Sequence, residues 1–559
     1  MKRKKQLYTA GMIALLCLCE WFFFRKMYGS SLLFGDTGDG RLTMLITEHW
    51  YHVFQGRAGV TDLGIFYPAA NTLGYSDMLL GFGLVHSVLR LFGLDMYLAY
   101  KYTILLVHAL GTFSCMWLLK RVLGVKDIWA LFGTIAFSFS DSCMTGLLHP
   151  QLAAIGFLPL FAVCVVRFFQ KLNGRKKRNL YAVAAILLIE LVLYTSWYIA
   201  FFSALFAGIC LVIWLLCGIG KNGYVRKQVP LFFRTVRFDL LIYIIAAAAL
   251  AIPFILLEVP ISRMSGGRTY EEFAGTMIPT FLGIIHVSGE NVLLGKWLQS
   301  VEGLRGASHE VIRGFSVVLL ALFAAGLVRT AVQLRGKLEG DPAKKNRAAW
   351  VLCGVIAAAV LVNVLLSVRW NEQGLSGWKL VYKLVPGGKS IRAVGRIFLF
   401  LNLPMAVITA CIWSREGSGS PGRPWIRYGF AVLCLVMVFV SNLNSAGTYA
   451  FWDRDSAEAR MAKISAPPED CETFYIYNTG TTPAGVPFAQ TDAYEIADRF
   501  GINTINGYSG INPPDWGGIW PIDEGGYRQA ADEWISRYGL EHVYGYDAGN
   551  NTWVSHVAE

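Results

Sequence analysis

Runs of about twenty apolar residues, separated by short basic loops, recur along most of the chain. Each is long enough to cross a hydrocarbon core of about 30 Å at 1.5 Å per residue, so the pattern predicts a polytopic helical membrane protein. Candidate spans fall near residues 7–27, 97–118, 128–147, 151–169, 180–198, 199–217, 238–257, 313–333, 348–367, 396–413 and 428–443, about eleven in all. With this assignment the basic loops at 120–121, 175–178, 226–237, 335–347 and 415–427 share one side, the cytoplasmic side by the positive-inside rule. The stretch 79–92 is apolar but short, and it carries His86 and Arg90. As an amphipathic helix lying in the interface it leaves that charge pattern intact; as a span it would invert every later loop. The first run follows Lys2-Arg3-Lys4-Lys5 and has no small-residue cleavage site, so it is expected to stay as a helix with a cytoplasmic N-terminus.

Three stretches interrupt the apolar pattern. Residues 28–96 and 258–312 form long polar loops on the side away from the basic loops, and residues 444–559 form a tail on that same side. The tail is acidic and rich in Gly, Pro, Tyr and Trp. Its patterning predicts strands at 472–478 and 540–546 and helices at 494–500 and 529–538. The expected fold class is therefore mainly α: a transmembrane helical core over 1–443 and a small extracytoplasmic α+β domain over 444–559.

Composition agrees with this reading. Of 559 residues 55% are hydrophobic and 16% charged, and the mean hydropathy is +0.45. A soluble protein of this length is excluded. The net charge of +12 resides in the short loops, so it reports topology and predicts no nucleic-acid partner. The eleven cysteines sit almost entirely inside apolar runs, which supports neither a disulfide framework nor a metal-binding CxxC. No internal repeat is visible.

The candidate chemistry gathers in the polar loops. Phe34-Gly35-Asp36-Thr37-Gly38-Asp39-Gly40-Arg41 places two carboxylates three residues apart among glycines. Such a pair binds a divalent cation, Mg or Mn, or takes a proton from a hydroxyl, or else forms an Asx-turn at a helix end. The same loop carries Glu48, His49, Tyr75 and Asp77; the next turn carries His149 and Gln151, with Asp141 just before it; the 258–312 loop carries Tyr270 and Glu310. Arg392 and Arg396 stand four apart where a helix is expected to begin, so one face either presents both to an anion or anchors them at the headgroups. His149 reads as a ligand, a base or, more readily, a polar cap on a tight turn. Glu190, inside a predicted span, is either functional or hydrogen-bonded to a neighbouring helix. Asn506-Gly507-Tyr508-Ser509-Gly510 reads as a sugar-binding loop or as turn chemistry.

Asp39-Gly40-Arg41-Leu42 followed by Glu48-His49-Trp50 and Gln55-Gly56, with Tyr67-Pro68 and Tyr75-Ser76-Asp77 ahead of the interfacial stretch, resembles the acidic first-loop pattern of the GT-C superfamily of integral-membrane glycosyltransferases. The likeness includes the bacterial branch similar to protein mannosyltransferases and aminoarabinose transferases, and covers roughly residues 7–330. The resemblance implies inverting transfer of a sugar from a polyprenyl-phosphate donor to an envelope acceptor on the extracytoplasmic face of the plasma membrane. It makes Asp39 the catalytic base or a metal-associated acid with Asp36 its neighbour, and gives the donor phosphate to Arg392 or Arg396. One departure from the family pattern is Gly40, which stands where a second acidic residue is usual. The competing readings are a polytopic transporter or lipid flippase working through Glu190, and a non-catalytic assembly protein working through the tail.

Overall fold

The computed structural model describes residues 2–218, 224–264, 269–302, 304, 308–335, 341–415, 424–444, 451–480, 486–516 and 524–556. Of the basic loops expected at 335–347 and 415–427, residues 336–340 and 416–423 lie outside the described residues, and residues 341–347 belong to α14. In chain order, α1 (Lys2–Phe24) leads through β1 (Leu32–Phe34) into α2 (Asp39–Phe54). Then come α3 (Leu80–Leu91), α4 (Met96–Trp117), α5 (Asp127–Ser138), α6 (Asp141–Gly146), α7 (Leu158–Gln170), α8 (Arg175–Leu193), α9 (Trp197–Gly218) and α10 (Tyr224–Met264). The long loop after α10 holds α11 (Tyr270–Met277) and α12 (Gly295–Ser300), and is followed by α13 (Val317–Arg335), α14 (Asp341–Ser367), α15 (Trp378–Leu384), α16 (Ile397–Ser414) and α17 (Pro424–Ser441). The chain is mainly helical with only small sheets, as its patterning predicts.

Among the described residues seven helices are long and apolar enough to cross a membrane: 96–122, 150–170, 197–217, 234–264, 317–335, 348–367 and 394–414. Shorter apolar helices cover Thr9–Phe24, Leu80–Leu91 and Trp425–Ser441. The single span expected at 128–147 is divided into α5 and α6. Ser140 causes the break, because its hydroxyl accepts a hydrogen bond from Cys143 N at 3.3 Å and so starts a new helix. The span expected at 313–333 is α13, which begins at Val317.

The stretch expected to lie in the interface is α3, twelve residues long. At about 18 Å it cannot span the hydrocarbon core. Leu84, Val88, Leu91 and Phe92 are exposed, whereas His86 is fully buried. An outward apolar face over an inward polar one suits a helix bordered by lipid on one side and protein on the other.

The tail contributes β2 (Phe451–Asp453), α18 (Arg454–Met461), β3 (Thr473–Tyr477), α19 (Val486–Phe500), β4 (Asn503–Thr504), α20 (Glu524–Tyr538), β5 (Val543–Asp547) and β6 (Thr552–Ser555). Four of these strands form a sheet of order β4-β3-β5-β6, parallel except for the β5–β6 pair. The first loop is stitched to the tail in two places. β1 runs antiparallel to β2, with Leu33 opposite Trp452. Further along, Phe66 N donates to Asn506 O at 2.8 Å and Thr504 N donates to Gly64 O at 2.8 Å.

The strongest tie is ionic. Arg41, fully buried on α2, pairs with Asp492 and Glu495 of α19 and donates to Thr491 Oγ1 at 3.1 Å. Tyr97 of α4 donates to the same Glu495, and His52, eleven residues further along α2, lies 3.2 Å from Asp498. Removing one member of a buried charge group leaves the others unpaired, which costs about 3–5 kcal/mol. Arg41→Ala is therefore expected to lower stability by about that much and to expose the tail to protease. Thermal unfolding and limited proteolysis in detergent would check it, and a wild-type melting temperature would show that the tail is held by other means.

Candidate active site

The acidic loop folds around Asp36. Its Oδ1 accepts from Gly38 N at 3.0 Å and Gly40 N at 3.3 Å, which turns the backbone sharply into α2. Gly35 makes this possible with a φ of +82°, a region open to glycine, and a Cβ there would lie 2.5 Å from Gly40 Cα. Asp36 thus builds the turn. Asp39 is the first residue of α2, where the helix dipole favours negative charge.

Four segments of the chain converge on Asp39. His149, between α6 and the 3₁₀ turn Pro150–Phe157, donates from Nδ1 to Asp39 Oδ2 at 2.6 Å. Its other nitrogen, Nε2, faces Glu310 Oε1 at 3.2 Å. Glu310 in turn accepts from Arg396 Nε at 2.7 Å and from the same guanidinium a second time. From the tail, Tyr508 donates its hydroxyl to Asp39 Oδ1 at 3.0 Å. The approach needs Gly38, since a Cβ there would come within 2.8 Å of the Tyr508 oxygen. Asp39 keeps 27% of its side-chain exposure while His149 keeps 14% and Arg396 7%, so Asp39 is the member a reactant can reach.

The chain Asp39, His149, Glu310, Arg396 alternates anion and cation and sums to zero. Burial alone would raise the Asp39 pKa, but the hydrogen bond and charge of His149, the charge of Arg396 and the Tyr508 hydroxyl together hold it below its ordinary value. Burial would likewise depress His149, and its two carboxylate neighbours overcome this and raise it. Glu310 is held far below the usual carboxylate range against its own burial, chiefly by Arg396. At neutral pH the arrangement therefore favours carboxylate, imidazolium, carboxylate and guanidinium in sequence.

Asp77 lies behind this group. Burial pushes it up to about 6 even though Trp197 N donates to it at 2.8 Å, and the charges of Arg396 and Asp39 both act on it. Arg392 sits in the extended link between two 3₁₀ turns, Gly388–Ser390 and Val394–Arg396, so it does not share a helical face with Arg396 as expected. Its side chain is exposed, and its charge acts on Tyr508. Arg396 is instead buried against Glu310 and stacks 4.7 Å over the Tyr198 ring.

The structure places other expected site residues elsewhere. Arg41 is consumed by the tail. Glu48, nine residues and about 13 Å along α2, is buried against His86 at 2.7 Å and Arg90 at 3.0 Å. His49 is buried with Nε2 3.4 Å from Val60 O. Tyr75 is buried in the 3₁₀ turn Thr72–Tyr75, and its carbonyl accepts from Ile511 N at 3.1 Å. Tyr270 donates to Gly374 O at 2.8 Å in an aromatic group with Phe273 and Tyr382. Gln151 has a buried Oε1 with no hydrogen-bond partner among the described residues.

Two residues join the site beyond what sequence reasoning assigned them. Tyr508 stands in the motif read as a sugar-binding loop or as turn chemistry, and its pairing with Asp39, which neither reading names, spans 469 residues. Arg313 is fully buried, with Nη1 3.5 Å from Thr145 Oγ1 and Nε and Nη2 without hydrogen-bond partners among the described residues. Burial depresses it to about 10 despite the nearby Glu310 and Asp141 charges.

For a divalent cation the fit is poor. Asp36 Oδ1 is committed to backbone donors, both Asp39 oxygens accept from side chains, and among the described residues no group of three or more His, Cys, Asp or Glu could hold a metal ion. The donor set suits proton transfer instead.

In comparisons with known proteins, no family profile and no curated sequence matches the chain. Among solved structures it is similar to the mycobacterial arabinofuranosyltransferase AftD, with a TM-score of 0.45 and 16% identity, over 84% of this chain and 30% of that one. It is also similar to ArnT from Cupriavidus metallidurans bound to undecaprenyl phosphate, with a TM-score of 0.44 and 13% identity, over 89% of this chain and 85% of that one. The chain thus spans about 30% of the length of AftD.

The charge alternation sets a pH window. His149, raised above its ordinary 6.5, contributes stability in full below 6.5 and loses it as pH rises through its folded value. Asp39 and Glu310, lowered from 3.8 and 4.5, contribute above those values and lose it as pH falls through their folded ones. Melting temperature should therefore peak between about pH 4.5 and 6.5 as far as this group contributes. In His149→Gln the alkaline decline should vanish and the acid decline should move upward, because burial of Asp39 then goes unopposed by the imidazolium. Superimposable pH curves for the two proteins would mean that the pair does not form.

Proposed function

We propose that this protein is a membrane glycosyltransferase that moves a sugar from a polyprenyl-phosphate donor to a hydroxyl of an envelope acceptor on the extracytoplasmic face. The observation that carries the reading is the reachable carboxylate of Asp39, oriented on both oxygens by His149 and Tyr508 and backed by Glu310 and Arg396. A carboxylate so held can accept a proton without turning. The Tyr508 hydroxyl marks, at Oδ1, the kind of donor that an acceptor sugar hydroxyl would also be.

In this reading the acceptor hydroxyl gives its proton to Asp39 as its oxygen forms a bond to the anomeric carbon. The bond from that carbon to the phosphate oxygen breaks, and its electron pair leaves on the polyprenyl phosphate. Attack opposite the leaving group inverts the centre. In this reading the exposed Arg392 guanidinium, whose charge acts on Tyr508, receives the phosphate charge. Arg396 acts through Glu310 and His149 instead, keeping Asp39 ionised. Asp36 shapes the turn, and the chemistry needs no metal ligand from it.

The test is transfer of radiolabel from a panel of polyprenyl-phosphate sugars to envelope acceptors in membranes holding wild type or Asp39→Asn. The isosteric amide should lose on the order of 10²–10⁴-fold in rate at unchanged abundance. Equal transfer by both proteins would sink the role of Asp39. Lipid movement in proteoliposomes without a new glycosidic bond, stopped by Glu190→Gln, would favour the transporter reading instead; one Glu190 carboxylate oxygen is buried without a hydrogen-bond partner among the described residues.

A further inference from the structure

A second polar site lies at the far end of the helix that begins beside His149. The helical stretch 150–170 is 21 residues long, about the thickness of the hydrocarbon core at helical rise. Just beyond it, a cavity of about 430 Å³ opens between the start of α8 and the body of α10. Its wall carries four guanidinium groups, Arg175, Arg178, Arg234 and Arg237, against a single carboxylate, Asp239.

Asp239 is already spent. It receives Arg175 Nη2 at 2.9 Å and also pairs with Arg178. Arg178 keeps only 4% of its side-chain exposure, and its Nη1 donates to Leu172 O at 2.9 Å and Thr235 O at 3.3 Å. Its Nε is buried and has no hydrogen-bond partner among the described residues. A buried guanidinium with an unused donor, in a cavity with three cations in excess, is a site short of an anion.

The surfaces above the cavity say which kind. On α8, Leu180, Val183 and Leu187 are exposed, and on α10, Phe238, Leu241 and Ile242 are exposed, at 50–70% of their full areas. A ligand with its charge in the cavity would thus lay any hydrocarbon chains along an apolar wall. We propose that the cavity binds the phosphate of an anionic membrane lipid, on the membrane face opposite the Asp39 site.

The experiment uses the full chain in nanodiscs of equal phosphatidylglycerol and phosphatidylcholine, with bound lipid read by native mass spectrometry. Wild type should retain phosphatidylglycerol in preference to phosphatidylcholine. Arg234→Gln/Arg237→Gln removes exposed cations only, so folding should persist, and retention should fall on the order of tenfold. Asp239→Asn removes the competing carboxylate and should strengthen retention, a change of opposite sign that loss of fold would not produce. In parallel, inorganic phosphate is titrated onto protein in detergent with thermal unfolding as readout. No stabilisation by phosphate, together with selective phosphatidylglycerol retention, supports the lipid site. Stabilisation by phosphate without lipid retention overturns the lipid as its source, and equal retention of both lipids by wild type overturns the site.

Discussion

Charge on the buried helix α2 is the constraint on which the rest of the structure depends. Within ten residues this helix carries Asp39, Arg41 and Glu48, each at least partly buried, and none can stay charged there without a partner. Each therefore recruits a different part of the chain. Arg41 holds α19 of the tail, Glu48 holds α3 through His86 and Arg90, and Asp39 gathers His149 and Tyr508. One helix thus positions α3, the tail and the Asp39 group together.

The consequence for chemistry is a division of labour among residues of the same type. Arg41 and Arg396 are buried in bidentate or multiple ion pairs and act on the site by fixing other groups. Arg392, exposed four residues before Arg396, keeps its guanidinium at the surface beside Tyr508. Similarly Asp36 spends its carboxylate on backbone donors, leaving Asp39 as the reachable acid of the pair. The tail matters for the same reason: by supplying Tyr508 it completes the hydrogen bonding of a group that begins in the first loop.

How much of this was legible in the sequence depended on the range of the interaction responsible. Hydrophobic run length predicted the helical, membrane-spanning class, and the short polar-marked run at 79–92 predicted a helix that does not cross, because both follow from local burial of apolar residues. The strands at 473–477 and 543–547 followed from local alternation as well. The break at Ser140 was a local signal too, a helix-capping hydroxyl inside an apolar run, outweighed there by the continuity of hydrophobicity.

Asp39, His149, Glu310 and Arg396 could each be named from the sequence as polar residues in loops, but their order in one relay could not. The segments that meet are separated by 86 to 469 positions, and nothing in a linear pattern encodes which buried charge neutralises which. The sequence by itself determined the membrane class, the polar loops and the inventory of ionisable groups, since these depend on composition and on neighbours a few residues away. Only the tertiary structure decided that Arg41 binds the tail, that Arg392 and not Arg396 stays exposed, and that Tyr508 meets Asp39. Pairing of buried charge is settled by which groups packing brings within hydrogen-bond reach.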